Sequence, residues 1–307
     1  MINAQPSIVI APHQKEQDCF YICKTSNADF SSLGLISPVS TTLIKNNIFF
    51  HEQISPKKIK HHISCLDKNR IQINPVILVH ENDIEIENYL NLAIKNKLPT
   101  LAIEGDETLY EFWKISENKK TQEIYRNINH FLIADGHHRI ESFKNLPQIK
   151  FFLALMVSRK NIFSKEVYRK YRNLDAQKKE ICLNFLRNNF ELSQIQEIPK
   201  KLQELVFVDC GKKILIKKSA SKNAQHKILD FFNKNIGRDD DGNLNFTHCA
   251  IGDYETNSKA DADPKTNLEI LIPKFRLEKN LIKTKIYPPH SSWFEPKIPN
   301  DLISLAL

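Results

Sequence analysis

Along the 307 residues of this chain, the apolar positions keep changing period, from two to 3.6 and back. Period two suits strands with one buried face, and period 3.6 suits amphipathic helices, so the chain must fold as a mixed α/β (α+β) protein. Phe20-Tyr21-Ile22 reads as a strand, and Leu43 to Phe50 as a second extended segment. Pro56 opens a basic helix that runs to about Asp67. Pro75 to Val79 is an apolar strand, Ile84 to Lys95 a helix, and Thr100 to Ile103 and Glu111 to Ile115 are strands. Asn118 to Asn129 is a short helix. Phe131 to Ala134, Phe151 to Val157 and Val167 to Tyr171 are strands. Asp175 caps a helix over Ala176 to Phe190. Leu205 to Val208 and Ile214 to Ile216 form a hairpin around Gly211, and a helix follows over Ala224 to Phe232. Arg238 to Asn243 and Asn257 to Thr266 are polar loops, and the proline-rich end is irregular. The chain divides into a core at 1–172 and a carboxyl-terminal α+β region at 173–307 packed on that core.

Composition narrows the class. A hydrophobic fraction of 41% supports a packed core. No apolar run reaches the length of a membrane span, and the start at Met1-Ile2-Asn3 lacks the pattern of a secretory signal. The 6 cysteines are scattered. Cys19 and Cys23 share a strand face but lie too far apart along it to bridge, so reduced thiols in a cytoplasmic protein are expected. The net charge is +8, but the basic residues are spread along the chain. That balance does not designate a nucleic-acid ligand, no helix-turn-helix signature is present, and a phosphate-bearing small molecule would suit a basic cleft equally well.

One segment concentrates chemistry: Asp135-Gly136-His137-His138-Arg139, at the carboxyl end of an apolar strand and followed by helical Glu141 to Lys144. A strand, a glycine turn and a helix start expose backbone N–H groups that favour an anion. Gly136 permits a sharp turn and close approach to a ligand. Arg139 offers a planar fork for phosphate. His137 and His138 are donors or proton carriers near neutral pH. Asp135 can hold Mg²⁺ or accept a hydroxyl proton. Asp239-Asp240-Asp241-Gly242-Asn243 lacks the ligand spacing of a calcium loop and reads as a solvated turn, and His61-His62 lie on a solvated helix face.

Ala134 to Arg139 resembles the ADGHHR element of the DUF1015 family and, more distantly, related elements of free-serine kinases and ParB-type nucleotide-binding proteins. His51-Glu52 with Asp67 to Arg70 resembles that family's HE…DR stretch, and Asn74 to Leu78 its SPIF strand. Pro288-Pro289-His290-Ser291-Ser292-Trp293-Phe294-Glu295-Pro296-Lys297 resembles MPPKSTYFYPK. Tyr287 and His290 stand where the family has Met and Lys, Tyr168-Arg169 where a His-Arg pair is common, and the chain is read as lacking most of the family's amino-terminal segment. The resemblance implies a ParB/sulfiredoxin-like α/β core. It also implies a nucleotide-dependent phosphotransferase using ADP or ATP and Mg²⁺, with a small hydroxyl substrate such as serine. On that basis Glu52, Asp135, His137 and His138 are catalytic, with Glu52 activating the acceptor hydroxyl. Gly136, Arg139, Arg169 and Lys297 bind phosphate, and Asp135 the metal. The alternatives are a ParB-like nucleotide-binding switch and a homologue without turnover. The Ser291 to Phe294 stretch reads either as a loop over the site or as a strap tying down the core.

Overall fold

The changing apolar period resolves into six α-helices interleaved with strands among the described residues, a mixed α/β architecture. The computed structural model describes residues 8–10, 20–105, 107–115, 118–172, 174–209, 212–217, 224–237, 245–251, 267–278, 280–299 and 302–307. The polar loops expected near 238–243 and 257–266, together with Cys19, Cys210 and Gly211, lie outside these. The chain forms two compact units. The first comprises Met1–Phe163, Leu277–Lys285 and Phe294–Leu307, and the second Ser164–Arg276 and Ile286–Trp293.

The first unit is built on an eight-stranded mixed sheet. Its order is Ile48–Phe49, Phe131–Asp135, Val76–His80, Phe151–Ser158, Ser31–Ser40, Phe20–Ser26, Leu109–Ile115, Leu101–Glu104. The first two strands are parallel, as are Val76–His80 and Phe151–Ser158, and the other neighbours are antiparallel. Strands buried on both faces read as continuous apolar runs, which is why Val76–His80 and Phe131–Asp135 were legible in the sequence. Leu66, Ile86, Tyr89, Leu90, Ile140 and Phe143 bring the helices Pro56–Asn69, Ile84–Ile94 and His137–Lys144 onto that core. Each fully buried side chain of this kind contributes ~1.5–3 kcal/mol of apolar transfer. A three-stranded sheet orders Ile8–Ile10, Ile303–Ala306 and Ile71–Ile73, so part of the end read as irregular is a central strand.

Two segments differ from expectation. Ser31–Ser40, paired on both sides, contains Gly34, Pro38 and four serines, residues that ordinarily punctuate strands. Tertiary packing overrides the propensity. A Cβ on Gly34 would lie 2.6 Å from Val157 Cγ1 and 2.7 Å from the Met156 oxygen, so the neighbouring strand approaches only because the side chain is missing. Pro38 sits past Ile36, where the described ladder to Phe20–Ser26 ends. Leu43 to Phe50 is mostly a turn rather than extended. Ser40 Oγ accepts the Thr42 N–H at 3.3 Å and starts the 3₁₀ segment Thr41–Ile44, which leaves only the short strand Ile48–Phe49.

The second unit is a six-stranded antiparallel sheet in the order Glu191–Ile195, Lys212–Lys217, Val206–Asp209, Leu268–Ile272, Val167–Tyr171, Phe246–Ala250. Helices Ala176–Asn189 and Ala224–Asn235 meet through stacked Phe185 and Phe231 rings, with centroids 3.8 Å apart. Asp175 caps the first of them, its Oδ1 accepting the Lys178 N–H at 2.6 Å. Val167–Tyr171 is paired on both sides within this sheet and belongs to the second unit. Cys23, Cys65, Cys182 and Cys249 are free thiols. No helix among the described residues is long and apolar enough to cross a membrane.

Candidate functional site

The strand Phe131–Asp135 pairs with Val76–His80 through a register shift between Ile77 and Leu78, so the ladder is bulged where Asp135 emerges. Bulges re-aim side chains at strand ends. Gly136 follows as the cap of helix His137–Lys144, with φ 96° and ψ 25°. Its position admits only glycine for two separate reasons. The left-handed conformation strains any L-residue, and a Cβ would lie 2.6 Å from Val76 Cγ1 and 3.1 Å from Arg139 Nη2.

The turn opens on a cleft of about 530 Å³ within the first unit, whose wall includes Asp135, Arg139, His62, Lys297, Ile73 and Pro75. Arg139 clamps this wall. Its Nη1 donates to the Asn74 oxygen at 2.8 Å and the Pro75 oxygen at 3.2 Å, and its Nη2 donates to Asp135 Oδ2 at 2.7 Å. A guanidinium carries five N–H groups, so Nε–H and one Nη2–H remain for a ligand. Of the predicted residues, the structure thus brings Asp135, Arg139 and Lys297 into one cleft beside Gly136. His62, read from the sequence as solvated, is a further lining residue. Burial, Arg139, His61 and Lys58 all lower its pKa, so it lines the cleft as a neutral imidazole. The only sequence signal was its place four residues before the buried Leu66 on the same helix face.

The two motif histidines point elsewhere. His137 is buried, and its Nε2 lies 3.1 Å from Nδ1 of fully buried His51. His51 Nδ1 is 2.7 Å from the Ile133 oxygen, which requires the proton on that nitrogen. His137 Nε2 then presents its lone pair to the same N–H. Burial, with His51 and then His138, pushes the His137 pKa well down, and burial likewise lowers that of His51. Glu52, 9% exposed, faces His51 Nε2 at 3.7 Å, and the Phe294 ring meets His51 edge-on at 5.5 Å. His138 Nε2 accepts the Ser55 N–H at 2.9 Å, so that nitrogen is unprotonated. Burial, Lys58 and His62 outweigh Asp135 and push its pKa down to about 4. Both imidazoles are therefore neutral near pH 7, and their hydrogen bonds tie the motif to the segments before it. His51, which carries this arrangement, stands out in the sequence only through the family resemblance.

Arg169 belongs to the second unit and is fully buried there. It donates to the Pro289 oxygen at 2.6 Å, to Ser291 Oγ at 3.1 Å and to the His290 oxygen at 3.2 Å, and it lies 4.6 Å over the Phe246 ring. The guanidinium is thus committed to the segment Pro289–Ser291. The Ser291 to Phe294 stretch divides between the units: Trp293 packs on the core of the second, whereas Phe294 is buried in the first.

Among the described residues no group of three or more His, Cys, Asp or Glu side chains could hold a metal ion. Among the described residues of the cleft wall, Asp135 is the one carboxylate. Mg²⁺ commonly binds through one or two carboxylates, with substrate phosphates and waters supplying the rest. The residues therefore fit a metal carried in with a phosphate, not a preformed cage.

The fold and this cleft define a mixed α/β protein with a glycine turn between a buried strand and a helix start. The chain belongs to the family described as Protein of unknown function (DUF1015), which matches residues 13–233. No curated protein matches it. Solved structures that resemble it include SbnI with a C-terminal truncation from Staphylococcus aureus, at 11% identity and a TM-score of 0.49, covering 85% of this chain and 82% of that one. Free serine kinase in complex with AMP is 14% identical with a TM-score of 0.45, over 96% of this chain and 98% of that one. A conserved hypothetical protein from Pyrococcus furiosus is 13% identical with a TM-score of 0.46, over 86% and 93%. These scores are too low to carry an assignment of activity.

Proposed function

We propose that the protein binds a nucleotide phosphate in the Asp135–Arg139 cleft and transfers a phosphoryl group to the hydroxyl of a small molecule such as serine. The observation that carries this reading is the convergence of Arg139, Lys297 and Asp135 on one cleft. Two cations suit the dispersed charge of a phosphoryl group. Arg139 Nε–H and its remaining Nη2–H, with the Lys297 ammonium, hold the phosphate oxygens. Asp135 would share Mg²⁺ with the nucleotide, and the ion would neutralise charge on the phosphate chain. In the transfer the substrate hydroxyl oxygen bonds to the terminal phosphorus. The bond from that phosphorus to the nucleotide oxygen breaks, and the hydroxyl proton passes to a carboxylate. We assign this role to Glu52 on the family resemblance, its carboxylate facing His51 and not being part of the described cleft wall. His137 and His138, neutral and internally bonded, position the turn.

A second reading has its own observation. Arg139 is already bonded to Asp135, Asn74 and Pro75, so a nucleotide could be held without turnover, as in a switch module or a degenerate homologue. Calorimetry with ADP and ATP, with and without Mg²⁺, and detection of O-phosphoserine from serine separate the two. Binding with product supports transfer, and binding without product across hydroxyl amino acids supports the switch. Absence of ADP and ATP binding refutes both. Lys297→Met should weaken binding about tenfold while leaving the fold intact. Glu52→Gln should keep binding and lose product.

A further inference from the structure

The first unit carries a second cavity, of about 670 Å³, formed by the helices Ile84–Ile94 and Asn118–Arg126 with the strands Phe20–Ser26 and Leu109–Ile115. None of its lining residues belongs to the Asp135 cleft. Its size lies within the ~300–1,000 Å³ typical of small-molecule sites. We propose that it binds an amphipathic anion, a molecule with a long apolar body and one carboxylate.

Three features argue for an apolar body. Trp113 and Tyr89 line the cavity, yet their polar tips are already satisfied. The Trp113 Nε1–H donates to the Lys97 oxygen at 3.0 Å, and the Tyr89 hydroxyl bonds Thr121 Oγ1 at 2.5 Å. What the two rings offer a ligand is therefore carbon surface. Ile22, Ile115 and Ile124 extend that surface. The rim is apolar as well. Ile84 is 71% exposed, Leu92 66% and Leu98 91%, which makes them the three most exposed large hydrophobics described. Exposed apolar side chains scattered singly need no explanation, but a cluster around one cavity marks a binding surface.

Charge selects the head group. Lys97 and Lys120 line the cavity, and among the described lining residues Glu85 is the single carboxylate. Lys120 Nζ lies 5.7 Å above the Tyr89 ring, which places an ammonium over the aromatic wall. Two cations against one anion among these residues leave a surplus of one positive charge, so a carboxylate on an apolar chain meets complementary charge and a cationic amphiphile meets repulsion.

The chain contains 2 tryptophans, so Trp293→Phe leaves Trp113 as the sole reporter in the cavity wall. That variant should be titrated with dodecanoate, dodecanol and dodecyltrimethylammonium, each below its micelle concentration. Dodecanoate should change Trp113 emission saturably, with a midpoint about tenfold below that of dodecanol, and the cation should not saturate. Leu92→Asp, at an exposed position, should raise the dodecanoate midpoint more than tenfold. Lys97→Gln with Lys120→Gln should abolish the preference over dodecanol. Equal midpoints for the three probes, or no saturation with dodecanoate, overturn the proposal. So does a native dimer in sedimentation equilibrium that Leu92→Asp dissociates, because the occupant would then be a second copy of the chain.

Discussion

Replacing Gly136 by alanine tests the turn at its narrowest point. Two costs are separable in the structure. Holding an L-residue near φ 96° costs roughly 1–2 kcal/mol. The added Cβ would also stand 2.6 Å from Val76 Cγ1 and 3.0 Å from Val76 Cβ. Val76 is fully buried in a strand paired on both sides and cannot swing away, and overpacking of this kind costs about 1–3 kcal/mol. Gly136→Ala should therefore destabilise the first unit by about 2–5 kcal/mol, the sum of the two. Urea unfolding of the wild type, Gly136→Ala, Val76→Ala and the double variant isolates the steric part. Truncating Val76 removes the Cγ1 clash but leaves its Cβ and the dihedral strain, so the cycle should return a favourable coupling of about 1–2 kcal/mol, part of the overpacking cost. A single-variant cost below about 1 kcal/mol, or no coupling to Val76, would refute the reasoning that this glycine is required by both backbone and neighbour.

Other outcomes follow from the same geometry. Stability should fall as pH drops from about 6.5 towards 4: the unfolded His138 titrates near ~6.5, whereas its folded pKa lies at about 4. In that window the unfolded state binds more protons, so the contribution is complete above the upper value and lost on acidification. His138→Gln should flatten this limb in chemical denaturation at a series of pH values, and an unchanged slope would contradict the assignment. Arg169→Met should cost ~3–5 kcal/mol, because it strands buried oxygens that the guanidinium now satisfies, and a differential-scanning shift smaller than that of a surface substitution would count against this role. Nucleotide affinity in the Asp135 cleft should weaken with added salt, less steeply in Lys297→Met than in the wild type. Equal salt slopes would remove Lys297 from the phosphate contacts.

Local chemistry was legible wherever it depends on neighbours in the chain. The apolar period located Val76–His80, Phe131–Asp135, Phe151–Ser158 and the helix after Asp175, because backbone geometry imposes those periods residue by residue. The strand–glycine–helix turn at Gly136 was legible for the same reason. Ser31–Ser40 was not, since its glycine answers to Val157 and Met156 more than a hundred positions away.

The residue types and their order alone determined the mixed α/β class, the family motif and the glycine turn. Only the tertiary structure decided which motif side chains share the cleft. His137 and His138 adjoin Arg139 in sequence, yet a helix rotates successive side chains by about 100°, sending one imidazole to buried His51 and the other to the Ser55 N–H. Lys297 and His62 join Arg139 in the cleft wall only because segments distant in the chain pack together there. Such contacts depend on packing between elements, which no local period encodes.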